Sequence, residues 1–243
     1  MSLITNNKNK KAYQIAKGTK LDVFLDPDEE ANGDKIIKGN KIMPFFDMSK
    51  NDGIRCLLSG STGSGKSYMC RKAIEQINPK KVYIFSSVDD GDYDNLPCEV
   101  MKVDLNQIIS RTGMDIHQIY ECMEDKCVAV FDDIMSFGNK MSKPYLELRL
   151  IMLQKSRHKK QSVFVCEQTA QAGNAKGSRE VLLNCQYFYC FPRNNFRSFN
   201  NLAKIYLGLT EKQIEHMKTL GRYVMINKNY PSYYVSNNEV AMI

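Results

Sequence analysis

Residues 60–67 read Gly60-Ser61-Thr62-Gly63-Ser64-Gly65-Lys66-Ser67, a match to G-x-x-x-x-G-K-[ST] at every fixed position. An apolar strand pattern over 54–58 precedes the motif and a helical pattern over 67–77 follows it. A chain that leaves a buried strand, turns through glycines and enters a helix points successive backbone N–H groups at one spot. The positive end of the helix faces the same spot. That arrangement suits phosphate oxygens: Lys66 is spaced to reach the β- and γ-phosphates of a nucleotide, and the Ser67 hydroxyl to ligate Mg²⁺. A second apolar run over 81–86 completes a βαβ unit, which predicts an α/β fold with a parallel sheet and helices on its faces.

A metal at such a loop needs a second partner. The run Val128-Ala129-Val130-Phe131-Asp132-Asp133 is apolar on both faces, as an interior parallel strand must be, and ends in two carboxylates. Asp132 is the Walker B candidate, holding Mg²⁺ through its water shell, and Asp133 is placed to orient or deprotonate an attacking water. The plainer alternative is a pair of surface acids closing a strand. Further along, Asp104 and Asp115 read as N-caps of two short helices. A helix opens near Ser142 with Pro144 in its first turn, leaving Lys155, Arg157, Lys159 and Lys160 at and beyond its end. Strands are expected over 162–166, 187–191, 223–226 and 233–235, with helices over 181–184, 202–206 and 211–220. Five of the strands, interleaved with helices, make one doubly wound domain.

Composition narrows the classes further. A chain of 243 residues, 43% hydrophobic and 25% charged, can bury a sizeable core. Its net charge of +7 favours anionic partners, nucleotides or nucleic acid. No apolar run is long enough for a membrane span, and the first 20 residues lack the apolar stretch of a secretory signal. The eight cysteines read as reduced core thiols; the Cys122/Cys127 and Cys185/Cys190 spacings invite zinc but lack the tight two-residue knuckle. Residues 1–50 are expected to form an N-terminal arm and adornment on a main domain over 51–243. The arm, 1–20, carries Lys8, Lys10, Lys11, Lys17 and Lys20 without an acid, as an electrostatic tether or a solvated tail. The adornment has a short strand over 21–25, turns at Asp26-Pro27 and Asn32-Gly33, and an apolar patch over 42–46.

A helix, a strand and two further helices separate the loop strand from the Asp132 strand, so at least one strand lies between them. This resembles the ASCE division of P-loop NTPases. The Asn-Lys-x-Asp base-recognition motif of GTPases is missing, since Asn227-Lys228-Asn229-Tyr230 lacks the acid. Gln168 follows the strand over 162–166, Lys155-Ser156-Arg157-His158 precedes it, and Arg179 stands ahead of Leu182-Leu183-Asn184. With the phosphate loop and Phe131-Asp132-Asp133, these residues resemble the FtsK/HerA superfamily, in particular the poxvirus-type DNA-packaging ATPases of large DNA viruses and virophages, over about residues 50–195.

The resemblance implies an ATPase that uses ATP and Mg²⁺ to drive double-stranded DNA into a preformed capsid. It implies a homo-oligomeric ring, pentamer or hexamer, docked on a capsid or portal-vertex protein, in the virion and the cytoplasmic viral factory. Gln168 matches the family's polar sensor and Arg157 the arginine acting across a subunit interface, with Arg179 or Arg193 as the alternatives. Many superfamily members carry Glu where this chain has Asp133. Lys155, Lys159, Lys160 and the N-terminal lysines are expected to meet the DNA backbone, or else Arg193 and Arg197. Two other functions share these motifs: a nucleotide-gated virion scaffold, and a helicase or conjugation-type pump acting in replication.

Overall fold

The computed structural model describes residues 36–38, 46, 52–88, 91–168, 178–194, 196–229, 232–237 and 239–243. The basic arm expected over 1–20, the strand expected over 21–25, the turns expected at Asp26-Pro27 and Asn32-Gly33, and the 42–46 patch apart from Phe46 lie outside these residues.

The chain enters the sheet at β1 (Ile36–Lys38) and then builds β2 (Arg55–Ser59), α1 (Lys66–Ile77) and β3 (Lys81–Ser86). Next come β4 (Glu99–Lys102), α2 (Leu105–Thr112), α3 (Ile116–Cys122), β5 (Val128–Asp132), α4 (Lys143–Lys159) and β6 (Ser162–Glu167). The chain closes with α5 (Ser178–Asn184), β7 (Tyr187–Cys190), α6 (Phe196–Asn201), α7 (Glu211–Thr219), β8 (Val224–Asn227), β9 (Tyr233–Ser236) and β10 (Glu239–Met242). Among the described residues the strands form one ten-stranded sheet in the order β1-β10-β9-β8-β7-β2-β6-β5-β3-β4. From β7 to β4 every pairing is parallel. From β7 back to β1 every pairing is antiparallel.

The loop strand β2 and the Asp132 strand β5 are separated by β6, the interposed strand that the sequence predicts, in an α/β fold whose parallel sheet carries an antiparallel extension on one side. The interior strands β2 and β6 are buried almost throughout, as the apolar runs predict, because helices cover both faces. Alternate residues serve opposite layers. Leu57, Ala129, Phe131, Val163, Val165 and Phe188 pack toward α2, α3, α4 and α7. Cys56, Leu58, Val128, Val130, Phe164 and Cys166 pack toward α1. Phe46 joins that second layer, edge-on to Tyr187 at 4.9 Å between ring centroids.

The predicted caps are present. The Asp104 carboxylate accepts from the Gln107 N–H, Asp115 and Gln118 form a capping box, and so do Thr210 and Gln213. Three features differ from the sequence expectation. β4 adds a parallel strand at the sheet edge, where its exposed side chains leave no apolar alternation to read. The 202–206 segment is a π-helical turn continuing α6. Finally, β10 pairs with both β9 and β1, carrying the sheet beyond the expected β8–β9 pair. No helix among the described residues is long and apolar enough to cross a membrane.

Candidate nucleotide site

The phosphate loop leaves the carboxyl end of β2 at Gly60, and its neighbours explain the glycines. A Cβ on Gly60 would lie 2.6 Å from the Phe191 ring and 2.6 Å from Ser64 Oγ, so no larger residue fits. Gly65 has φ +104°, a backbone that L side chains rarely adopt. The Gly60 N–H donates to the Glu167 carbonyl at 3.1 Å, tying the loop to the end of β6. Lys66 is 7% exposed. Its ammonium curls over the loop and donates to the Gly60 carbonyl at 2.9 Å and the Ser61 carbonyl at 3.3 Å.

A cleft of about 470 Å³ opens above the loop and brings Lys66, Ser67, Asp132 and Asp133 together with Ser86 and Asp92. Parallel pairing in register places Ser86 and Asp132 at the same edge of the sheet, which is why residues far apart in sequence meet here. Asp132 ends β5, and its Oδ2 accepts a hydrogen bond from the Tyr93 hydroxyl at 2.7 Å. Tyr93 is 3% exposed, and burial, with the Asp132 charge beside it, pushes its phenol well above the usual range. The phenol therefore stays protonated and remains a donor. Asp133 follows with φ 45°, a left-handed backbone that a non-glycine residue holds only at a cost, and its N–H donates to the Cys166 carbonyl at 3.1 Å.

Magnesium fits these donors. The Ser67 hydroxyl and Asp132 carboxylate are hard oxygen ligands. No cluster of three or more His, Cys, Asp or Glu side chains able to hold a metal occurs among the described residues. Bound there, the ion would neutralise charge on the phosphates during transfer. The chain's own residues at the same cleft are Lys66, a cation of the charge that phosphate oxygens need, and Asp133, a carboxylate one residue beyond Asp132. Glu167, another acid at this edge, is already engaged. Its Oε1 lies 2.5 Å from Arg149 Nη1, with the two side chains 14% and 3% exposed.

The remaining sequence candidates lie elsewhere. Gln168 is exposed at the end of β6 and stands outside the residues lining the cleft. Arg157 occupies the last turn of α4, which runs back to the amino-terminal edge of the sheet, where its charge acts on the Arg55 guanidinium. Arg157 is therefore remote from its own chain's phosphate loop. Arg179 is exposed near the start of α5. Lys159 and Arg193 are occupied in capping helix ends. Lys159 Nζ donates to the carbonyls of Tyr120, Glu121 and Met123 at the end of α3. Arg193 donates to those of Lys218 and Thr219 at the end of α7. Lys155, Lys160 and Arg197 are exposed. Cys56, Cys70, Cys127, Cys166, Cys185 and Cys190 are buried, in keeping with core thiols, whereas Cys98 is half-buried and Cys122 is exposed, so the expectation fails for those two.

Three participants have no local sequence signature: Tyr93 on Asp132, Arg149 on Glu167, and Arg222 on the phosphate loop itself. Arg222 Nε donates to the Ser64 carbonyl and Nη2 to the Gly63 carbonyl, both at 2.9 Å.

No protein-family model matches the chain. It is 25% identical over 250 residues to an uncharacterized protein, V3, of Sputnik virophage, with 98% of each chain covered. Among solved structures, it is similar to the genome packaging NTPase B204 from Sulfolobus turreted icosahedral virus 2 in complex with AMP. That match has a TM-score of 0.49 and 13% identity, over 74% of this chain and 94% of the other. The N-terminal domain of zonular occludens toxin from Neisseria meningitidis matches with a TM-score of 0.38 and 14% identity, over 72% and 82% of the two chains.

Proposed function

We propose that this chain is an ATP-hydrolysing motor that moves double-stranded DNA into a viral capsid. The observation that carries the reading is the single cleft in which Lys66 and Ser67 of the phosphate loop face Asp132 and Asp133 across one intervening strand. That is the constellation for metal-assisted transfer of a terminal phosphate to water. The narrower assignment to DNA packaging rests on the motif set around Arg157, Gln168 and Arg179. A place in the virion and the cytoplasmic viral factory belongs to the same reading.

In this reading the working unit is a homo-oligomeric ring docked on a capsid or portal-vertex protein. An arginine of one subunit, Arg157 or Arg179, completes the ATP site of its neighbour and makes hydrolysis depend on assembly. Both are exposed, as a trans role requires. The exposed Lys155 and Lys160 meet the phosphate backbone of the duplex without reading bases.

The test is phosphate release with duplex DNA, single-stranded DNA or none. A motor of this kind is stimulated by the duplex more than by the single strand. Equal stimulation by single strands would favour a replication helicase, and tight ATP binding without DNA-dependent turnover would favour a nucleotide-gated scaffold.

A further inference from the structure

The phosphate loop binds through its N–H groups, and an N–H direction is fixed by the peptide plane that carries it. In a trans peptide the carbonyl of one residue and the N–H of the next point opposite ways. Whatever grips the loop's carbonyls from outside therefore aims the following N–H groups. Arg222 does this. Its Nε and Nη2 donate to the carbonyls of Ser64 and Gly63, across 158 and 159 residues of chain.

The peptide joining Ser64 to Gly65, with its carbonyl held by Arg222, turns the Gly65 N–H to the side opposite the guanidinium. The peptide joining Gly63 to Ser64 is held the same way. Its N–H donates to the Ser61 carbonyl at 3.1 Å, closing the tight turn of the loop. The guanidinium also packs against Gly65, where a Cβ would meet it at 3.6 Å. Topology delivers Arg222 to this place. β8 runs antiparallel to β7 with Val224 opposite Cys190, so the residues entering β8 stand at the carboxyl edge of the parallel strands, beside the loop.

We propose that Arg222 is a positioning residue for nucleotide binding: it holds the phosphate loop in its binding shape before a nucleotide arrives. The inference rests on the nucleotide-site reading above. It links the antiparallel extension to the loop, since Arg222 lies between α7 and β8. Because the loop cradles phosphates common to ADP and ATP, the effect falls on both nucleotides alike. An arginine acting on the γ-phosphate would instead alter ATP turnover alone.

The experiment measures Kd for fluorescent ADP and ATP, kcat at saturating ATP, and the melting temperature of nucleotide-free protein. It compares wild type, Arg222→Ala, Arg222→Lys and Lys66→Ala. Loss of two charge-assisted hydrogen bonds at a half-open site should weaken ADP and ATP binding to the same extent in Arg222→Ala, by about tenfold. The kcat and the nucleotide-free melting temperature should change little, and Arg222→Lys should recover part of the affinity. Unchanged Kd values overturn the inference, whether or not the melting temperature falls; so does a fall in kcat alone. Should Arg222→Ala fail to fold, Arg222→Lys and Arg222→Gln give the same comparison against wild type. Wild-type protein that binds neither nucleotide would defeat the nucleotide-site reading itself. If wild type binds and Lys66→Ala does not, while Arg222→Ala binds like wild type, the reading stands and only the role of Arg222 falls.

Discussion

The Tyr93 hydroxyl donates to Oδ2 of Asp132 at 2.7 Å, so a tyrosine from the β3–β4 connection orients the carboxylate proposed to hold magnesium. The bond engages one carboxylate oxygen and constrains the direction of the other. Tyr93→Phe removes the donor and keeps the ring that fills the layer against α1. The expected result is a higher Mg²⁺ requirement for turnover and a fall in turnover of about tenfold at limiting Mg²⁺, the worth of one hydrogen bond to a charged group. A magnesium titration of the initial rate reads this directly; an unchanged half-saturating concentration would remove Tyr93 from the site.

Asp133 and Glu167 should part ways on substitution. Asp133→Asn removes the proposed proton acceptor, and is expected to bind ATP normally and turn over 10² to 10⁴ times more slowly, roughly the worth of a positioned base. Glu167→Gln instead breaks the ion pair with Arg149, leaving a guanidinium whose side chain is 3% exposed without its counter-charge. Its expected signature is a loss of stability of about 3 kcal/mol in urea unfolding. Near-normal turnover in Asp133→Asn would place the base elsewhere.

Much of the site was legible because its chemistry is local. The phosphate loop is one continuous motif, and Asp132 and Asp133 end a run of apolar residues that only an interior strand explains. Tyr93, Arg149 and Arg222 were not legible, because each acts on a residue brought near by strand order. Their partners lie 39, 18 and 158 residues away, and no spacing rule connects them. Charge in the sequence overstates the free cations for a related reason. Lys159 counts as a free cation in the sequence, yet the fold engages it with three carbonyls at the end of α3. The edge strand β4 leaves no period-two signal in the sequence because Glu99, Met101 and Lys102 are exposed.

That difference among the lysines gives a prediction about DNA. Neutralising Lys155 and Lys160, both exposed, should flatten the dependence of log affinity on log salt by about one unit for each DNA phosphate that is no longer neutralised. Lys159→Ala should leave that slope in place and cost about 1 kcal/mol of stability, since it removes a cation from helix-terminal carbonyls. Filter binding over a salt series, with urea melts alongside, separates the two effects. A slope that changes with Lys159 alone would contradict this division.

Thiol ionisation sets an alkaline limit. Burial pushes the thiols of Cys127, Cys185 and Cys190 from an ordinary value of 9.0 up to about 12. Below the ordinary value both folded and unfolded chains hold these protons and stability is unaffected. As pH rises from about 9 toward 12 the unfolded chain releases them first, so stability falls across that window. Urea midpoints should therefore drop between about pH 8 and about pH 10. Native protein should also react with a thiol reagent at the exposed Cys122 while the buried cysteines wait for unfolding. Rapid labelling of Cys185 or Cys190 in folded protein would contradict their placement.

The most direct test of the central claim is steady-state phosphate release from Mg²⁺-ATP by wild type and Lys66→Ala, each with and without duplex DNA. Wild type should turn over ATP faster with duplex present, and Lys66→Ala should release no phosphate above background under either condition, because the phosphate charge is then unbalanced. Equal phosphate release by the two proteins would contradict that claim.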